Sequence, residues 1–174
     1  HHKKIAETVD IDQILYNVPG RTAVDMANAT ASRLADIPNI IGIKDATGDI
    51  GRGVELLALL GERMAVYSGD DPTAYQLILA GAKGNISVTA NVDPQNMSRL
   101  CKLAAEGNTA EAKALNDMLM PIHDAMFVES NPIPVKYALS RMGLISSGIR
   151  LPLTSLAAEF HGQVDSALIA AELI

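Results

Sequence analysis

The chain has 174 residues, 48% of them hydrophobic and 20% charged, with a formal charge of −6; that is enough for one substantial core and a smaller attached unit. The absence of a Lys/Arg cluster and a total of six aromatic residues argue against a nucleic-acid surface. The single Cys101 excludes an internal disulfide and a cysteine-based metal cluster, and no secretory signal or apolar run of about 18 residues is present, so a cytoplasmic protein acting on small molecules is expected.

Residues 1–9 read as the last turns of a helix, with Ile5 and Val9 four apart but no cap before them, so the chain is expected to begin inside an element. Four short strand signals follow, at 14–17, 40–45, 64–68 and 84–89, with helical segments at 23–35, 50–60 and 72–80 between them. One helix in each gap between strands predicts parallel βα units, because parallel pairing needs a crossover. The strands are nearly continuously apolar, as in a sheet covered on both faces. Each breaks at its carboxyl end into a polar or glycine-rich turn, the functional face of a (β/α) barrel and of an open parallel sheet alike.

After Asp93 the strands stop. Asp93 with Pro94 predicts a capped helix start, Asn108 with Glu111 a capping box, and Thr154 a cap for the last helix. Helices are expected at 94–106, 109–127, 134–142 and 155–172. The division is therefore a 1–107 α/β part and a 108–174 helical domain. Met118, Leu119, Met120, Ile122 and Met126 suit a helix core or an oligomer contact equally.

Lys44 ends the apolar run Ile40-Ile41-Gly42-Ile43. Alternation puts Ile40, Gly42 and Lys44 on one face, with Gly42 leaving room for a long side chain or a small substrate. An ammonium buried there loses its preference for the charged form, and the neutral amine attacks carbonyls, making Lys44 a Schiff-base candidate. By periodicity alone, a strand-end lysine that snorkels to water fits better. Tyr16 closes the preceding strand at the same level, where its phenol could shuttle protons. Arg21, in the Pro19-Gly20 turn, could clamp a carboxylate. Gly48, Gly51 and Gly53 have the wrong spacing for a dinucleotide fingerprint, and neither His123 nor His161 has a neighbouring metal-ligand pattern. Cys101 lies among helix positions and reads as a structural thiol.

Five ordered segments, Ile14 to Thr22 (ILYNVPGRT), Ile41 to Gly48 (IGIKDATG), Tyr67 to Asp71 (YSGDD), Gly84 to Asn91 (GNISVTAN) and Asn131 to Lys136 (NPIPVK), closely resemble the dihydrodipicolinate synthase family of pyruvate-dependent class I aldolases. The resemblance implies an eight-stranded (β/α)8 barrel of which this chain carries strands 5 to 8, followed by an all-helical domain. It implies a Schiff base between Lys44 and pyruvate, proton relay by Tyr16, and a grip by Arg21 on the carboxylate of aspartate semialdehyde. Gly69 and Asp70 would border the substrate pocket, the Ile86 backbone would assist the pyruvyl group, and Asn131 would approach the second substrate. As strand-end turn, barrel core and helix cap, these four also have purely structural roles open to them.

The implied reaction is condensation of pyruvate with L-aspartate 4-semialdehyde in lysine biosynthesis, with no metal or organic cofactor, in a homotetramer or dimer. The half-barrel expected to precede this chain would carry further proton-relay threonines, so the missing N-terminal half-barrel is an expected partner. Two alternatives stand beside this reading: another aldolase of the group, such as N-acetylneuraminate lyase, and an inactive piece of the enzyme. Arg21 and the 131–136 segment favour the lysine-pathway reaction over the first.

Overall fold

The computed structural model describes residues 1–174 as an α/β unit followed by helices. Its centre is a parallel sheet ordered β1 (Gln13–Asn17), β2 (Ile40–Asp45), β3 (Ala65–Ser68). Helix α1 (His2–Thr8) precedes the sheet; α2 (Pro19–Thr22) and α3 (Asn28–Leu34) connect β1 to β2, α4 (Ile50–Leu60) connects β2 to β3, and α5 (Ala74–Leu79) follows β3. The helical part comprises α6 (Pro94–Ala105), α7 (Thr109–Ala125), α8 (Ile133–Arg141) and α9 (Ala158–Ala170).

Leu15, Ile43 and Val66, one from each strand, join a core that includes Leu56 and Leu60 of α4, Leu77 of α5, Leu100 of α6 and Leu119 of α7. Removing a side chain of this size from water contributes about 1.5–3 kcal/mol. A second core forms around Ile122, Met126, Val135, Val164 and Leu168, so α7 belongs to the first core at its start and to the second at its end. Met118 of the same helix is exposed.

The expected fourth strand is not formed. Its segment makes a single bridge, Ser68 with Asn85, and then turns. The segment keeps backbone hydrogen bonds to β3, from the Lys83 N–H to the Val66 carbonyl (2.8 Å), the Ser68 N–H to the Gly84 carbonyl (2.9 Å) and the Ile86 N–H to the Ser68 carbonyl (2.9 Å), and it leaves the ladder where the buried Asp71 carboxylate accepts from the N–H groups of Val88 (3.0 Å) and Thr89 (2.9 Å). A short 3₁₀ turn, Thr89–Asn91, follows.

The expected helix at 23–35 is interrupted. Ala23 adopts φ 55°, and the Asn17 side chain, with Nδ2 to Asp25 Oδ1 (2.9 Å) and Oδ1 from the Met26 N–H (3.0 Å), holds the chain away from helical bonding until Asn28. The last helix starts at Ala158, three residues beyond the predicted start, and Thr154 does not cap it. Asp93 caps α6 through the Asn96 N–H (3.1 Å), but the capping box at Asn108 is absent because Asn108 Nδ2 turns back to Glu106 Oε2 (3.2 Å).

The alternation expected along β2 also breaks. Gln13 pairs with Ile40 and Ile14 with Gly42, so Ile41 is an extra residue in β2. This bulge turns Ile40 into the core beside Ile43, on the opposite face from Lys44.

Candidate active site

Beyond the bulge the register is regular, and it lays Tyr16, Lys44 and Tyr67 side by side across the three strands. Parallel neighbours lie about 4.8 Å apart, so three strand ends place three side chains on one face within mutual reach. The Lys44 ammonium sits over the Tyr16 ring, 4.3 Å from its centroid. Lys44 is half-buried and Tyr16 is 51% exposed, because this face carries no covering layer.

Two glycines shape the space. A Cβ at Gly69 would lie 2.6 Å from Lys44 Cε and 2.8 Å from the Ala46 methyl, so the lysine stem occupies the place of the absent side chain. A Cβ at Gly42 would meet the Ala65 carbonyl oxygen at 3.2 Å and the Tyr67 ring at 3.5 Å; this glycine admits the tyrosine rather than leaving an empty pocket. At Gly48, φ 71° favours glycine, and a Cβ would press on the Asp70 carboxylate.

Gly69 therefore contacts Lys44 directly. Asp70 lies in the following turn, where its Oδ2 accepts from Thr73 Oγ1 (2.6 Å). The backbone N–H of Ile86 donates to the Ser68 carbonyl (2.9 Å), which fixes that segment beside β3 while the Ile86 side chain stays exposed. Arg21 is on the exposed α2, immediately after β1. Asn131 is half-buried just before α8, which packs against the Thr89–Asn91 turn; no hydrogen bond joins it to the sheet residues. It is not the helix cap, a position held by Pro132.

Three supporting groups lay outside the sequence expectations. Tyr67 completes the row on the same strand-end logic that singles out Tyr16. Behind the row, Arg52 on α4 pairs with Asp25 and also reaches the Met26 carbonyl, tying α4 to the segment after Arg21. The hydrogen bonds from Arg52 and Asn17 hold the Asp25 carboxyl below its ordinary range. Asp45 is buried, and desolvation raises its carboxyl pKa, opposed by its hydrogen bond from Thr47 Oγ1 (3.0 Å) and by the Arg52 charge.

The third group is His123. It is fully buried in α7, with Nδ1 2.8 Å from Thr89 Oγ1 and no partner for Nε2. Burial lowers its pKa, while Asp71, Asp124 and Asp70 act the other way. Only long-range packing reveals the Arg52 and His123 groups, since Arg52 is 27 residues from Asp25 and His123 is 34 from Thr89. No group of three or more His, Cys, Asp and Glu residues is arranged to hold a metal ion.

The family model described as the dihydrodipicolinate synthetase family matches residues 1–171. The chain belongs to that family. It is 62% identical, over its whole length, to the 4-hydroxy-tetrahydrodipicolinate synthase of Marinobacter nauticus, of which it covers 60%. It is 55% identical over 97% of its length to the enzyme of that name from Herminiimonas arsenicoxydans, covering 58% of it. Among solved structures, the chloride-inhibited dihydrodipicolinate synthase of Acinetobacter baumannii, complexed with pyruvate, superposes with a TM-score of 0.98 at 57% identity; all of this chain and 60% of that one are covered. The dihydrodipicolinate synthase of Thermotoga maritima gives 0.95 at 38% identity, with the same coverages of 100% and 60%. The chain thus spans about three-fifths of the length of the relatives it matches.

Proposed function

We propose that this chain contributes the Schiff-base half of a 4-hydroxy-tetrahydrodipicolinate synthase, condensing pyruvate with L-aspartate 4-semialdehyde in lysine biosynthesis. The observation that carries the reading is the row Tyr16–Lys44–Tyr67, with the lysine stem seated in the space left by Gly69. An amine fixed beside a phenol at the carboxyl end of a parallel strand is equipped for imine chemistry.

The Lys44 amine attacks the pyruvate ketone, and loss of water gives an imine. Tyr16 relays protons in that step and in removal of a methyl proton, which gives an enamine. The enamine carbon attacks the aldehyde of the semialdehyde, whose carboxylate Arg21 holds. The substrate amine then displaces Lys44 as the ring closes. Gly69 and Asp70 border the pocket, the Ile86 backbone assists the pyruvyl group, and Asn131 approaches the second substrate.

In this reading the three strands and the Asn85 bridge correspond to strands 5 to 8 of a (β/α)8 barrel, residues 1–107 form the barrel part, and 108–174 form the helical domain. A preceding half-barrel covers the open face, and the assembled enzyme is a homotetramer or dimer.

Borohydride reduction of the protein with pyruvate, followed by peptide mapping, tests the chemistry. The expected result is a reduced pyruvyl adduct on Lys44, lost in Lys44→Met; labelling elsewhere or not at all overturns the reading for this chain. The open face favours a second reading, an inactive piece, which predicts that the adduct forms only after addition of the preceding half of a relative such as the Marinobacter nauticus enzyme. Turnover with aspartate semialdehyde but not with N-acetylmannosamine then separates the synthase from a sugar-acid aldolase.

A further inference from the structure

A cavity of about 320 Å³ lies in the helical part, away from the sheet. One wall is a single face of α8, where Ile133, Lys136, Tyr137 and Arg141 fall at helical spacing. The returning segment after α8 supplies Ile149 and Leu156, and His161 of α9 closes the back. The volume is in the range of small-molecule sites, which combine an apolar lining with a few convergent polar groups.

The polar groups are preset. The Tyr137 and His161 rings stack at 4.4 Å with 21° between their planes. Tyr137 donates its hydroxyl proton to Asp165 Oδ1 (3.2 Å), and His161 Nε2 is 3.0 Å from the Leu156 carbonyl oxygen, so both rings are held from behind. Arg141 uses only Nε on Asp165 (2.9 Å), leaving the outer nitrogens of its fork without a protein partner. Lys136 takes part in none of the molecule's ion pairs. No carboxylate lines the cavity, although the chain as a whole carries a charge of −6.

We infer that this cavity binds a small organic anion with a flat ring and a single carboxylate. The ring lies against the Tyr137–His161 pair and the Ile133, Ile149 and Leu156 floor, and the carboxylate meets Lys136 and the free end of the Arg141 fork. A planar guanidinium and a point-charge ammonium lining the same cavity can converge on one carboxylate, and an apolar floor excludes the water that would otherwise screen it. The site is independent of the Lys44 chemistry.

Calorimetric titration of the chain with indole-3-acetate tests this. One saturable site per chain with a dissociation constant below about a millimolar is expected, with binding at least about tenfold weaker for indole-3-acetamide and for Lys136→Met, retained in Lys136→Arg, and weakened by salt. Lys44→Met should leave the affinity unchanged. Absence of saturation, equal binding of the amide, or loss in Lys44→Met with Lys136→Met unaffected would each overturn the inference. Matching thermal melts of the variants separate lost binding from lost folding.

Discussion

The two halves of this molecule solve the burial problem differently. In the sheet half, Leu15, Ile43 and Val66 are buried against helices, while across the same strands Ile14 is 47% and Tyr16 51% exposed. In the helical half, Ile122, Met126, Val164 and Leu168 are at most 1% exposed, while the exposed large apolar side chains are divided between the connecting segment, as at Leu144 and Leu151, and outer helix positions, as at Met118 and Ile169. Parallel strands ordinarily have both faces covered. Helices can close around one another without that second layer, so the helical half keeps a closed core beneath a few exposed positions such as Met118 and Ile169, whereas the sheet half leaves one face of its strands open.

The most damaging way to probe this contrast is to delete the same kind of side chain on each side of it. Leu168→Ala should destabilise by about 2–5 kcal/mol, as for a close-packed core leucine, whereas Ile14→Ala on the open face should cost under about 1 kcal/mol. Urea unfolding of both variants checks this. Equal losses would mean that the open face is covered in solution, whereas if it is open, addition of a preceding half-barrel should raise the cost of Ile14→Ala.

Gly69→Ala should act next most strongly, on function more than on stability. The added methyl meets both the Lys44 stem, which can swing away, and the Ala46 methyl, which moves only with its backbone, so the lysine is displaced and the turn after β2 shifts slightly. A displacement of about 1 Å at a reacting group can lower a rate about 100-fold, and the rate of borohydride-trapped adduct formation should fall by that order, with a smaller drop in the urea midpoint from the contact with Ala46. An unchanged trapping rate would show that Lys44 does not react from the position seen here.

How much of this was legible in the sequence depended on the range of the interaction. Tyr16 and Lys44 stood out because strand ends are written in local residue patterns, Gly69 was marked only by the family resemblance, and the 50–60 helix appears with its predicted bounds. The fourth strand stops short of its expected end at residue 89, where Asp71 takes the amides of Val88 and Thr89, 17 and 18 residues away. The second strand's alternation failed because its register against β1 slips at Ile41. In each case a contact distant in sequence overrode a sound local preference.

His123 sits where the halves meet, joining α7 to the turn after the Asn85 bridge through Thr89. Its pKa is lowered in the fold by burial, so the unfolded chain takes up a proton at higher pH than the folded one. The associated stability is fully present above about pH 6.5, the unfolded value, and declines as pH falls toward the folded value. His123→Gln should lower stability at pH 7 by about 1–3 kcal/mol through lost packing and altered bonding, and should flatten the fall in melting temperature on the acid side. A variant retaining the full slope would assign the acid sensitivity to other groups.

The smallest effect expected is at Asp45, and its sign is opposite to that of most buried carboxylates with cationic neighbours. Desolvation exceeds the help from Thr47 and Arg52, so the folded state favours the protonated carboxyl. Asp45 therefore contributes most to stability below its unfolded pKa near 3.9, and that contribution is lost as pH rises through the raised folded value, leaving a cost at neutral pH. Asp45→Asn removes the charge while keeping an oxygen for Thr47. It should raise the melting temperature at pH 7 by a few degrees, equivalent to about 1 kcal/mol in a chain of this size, and lose the advantage at pH 4. If the variant is instead destabilised at pH 7, the Arg52 charge outweighs burial at this site, and the network behind Tyr16 and Lys44 depends on an ionised Asp45 rather than tolerating one.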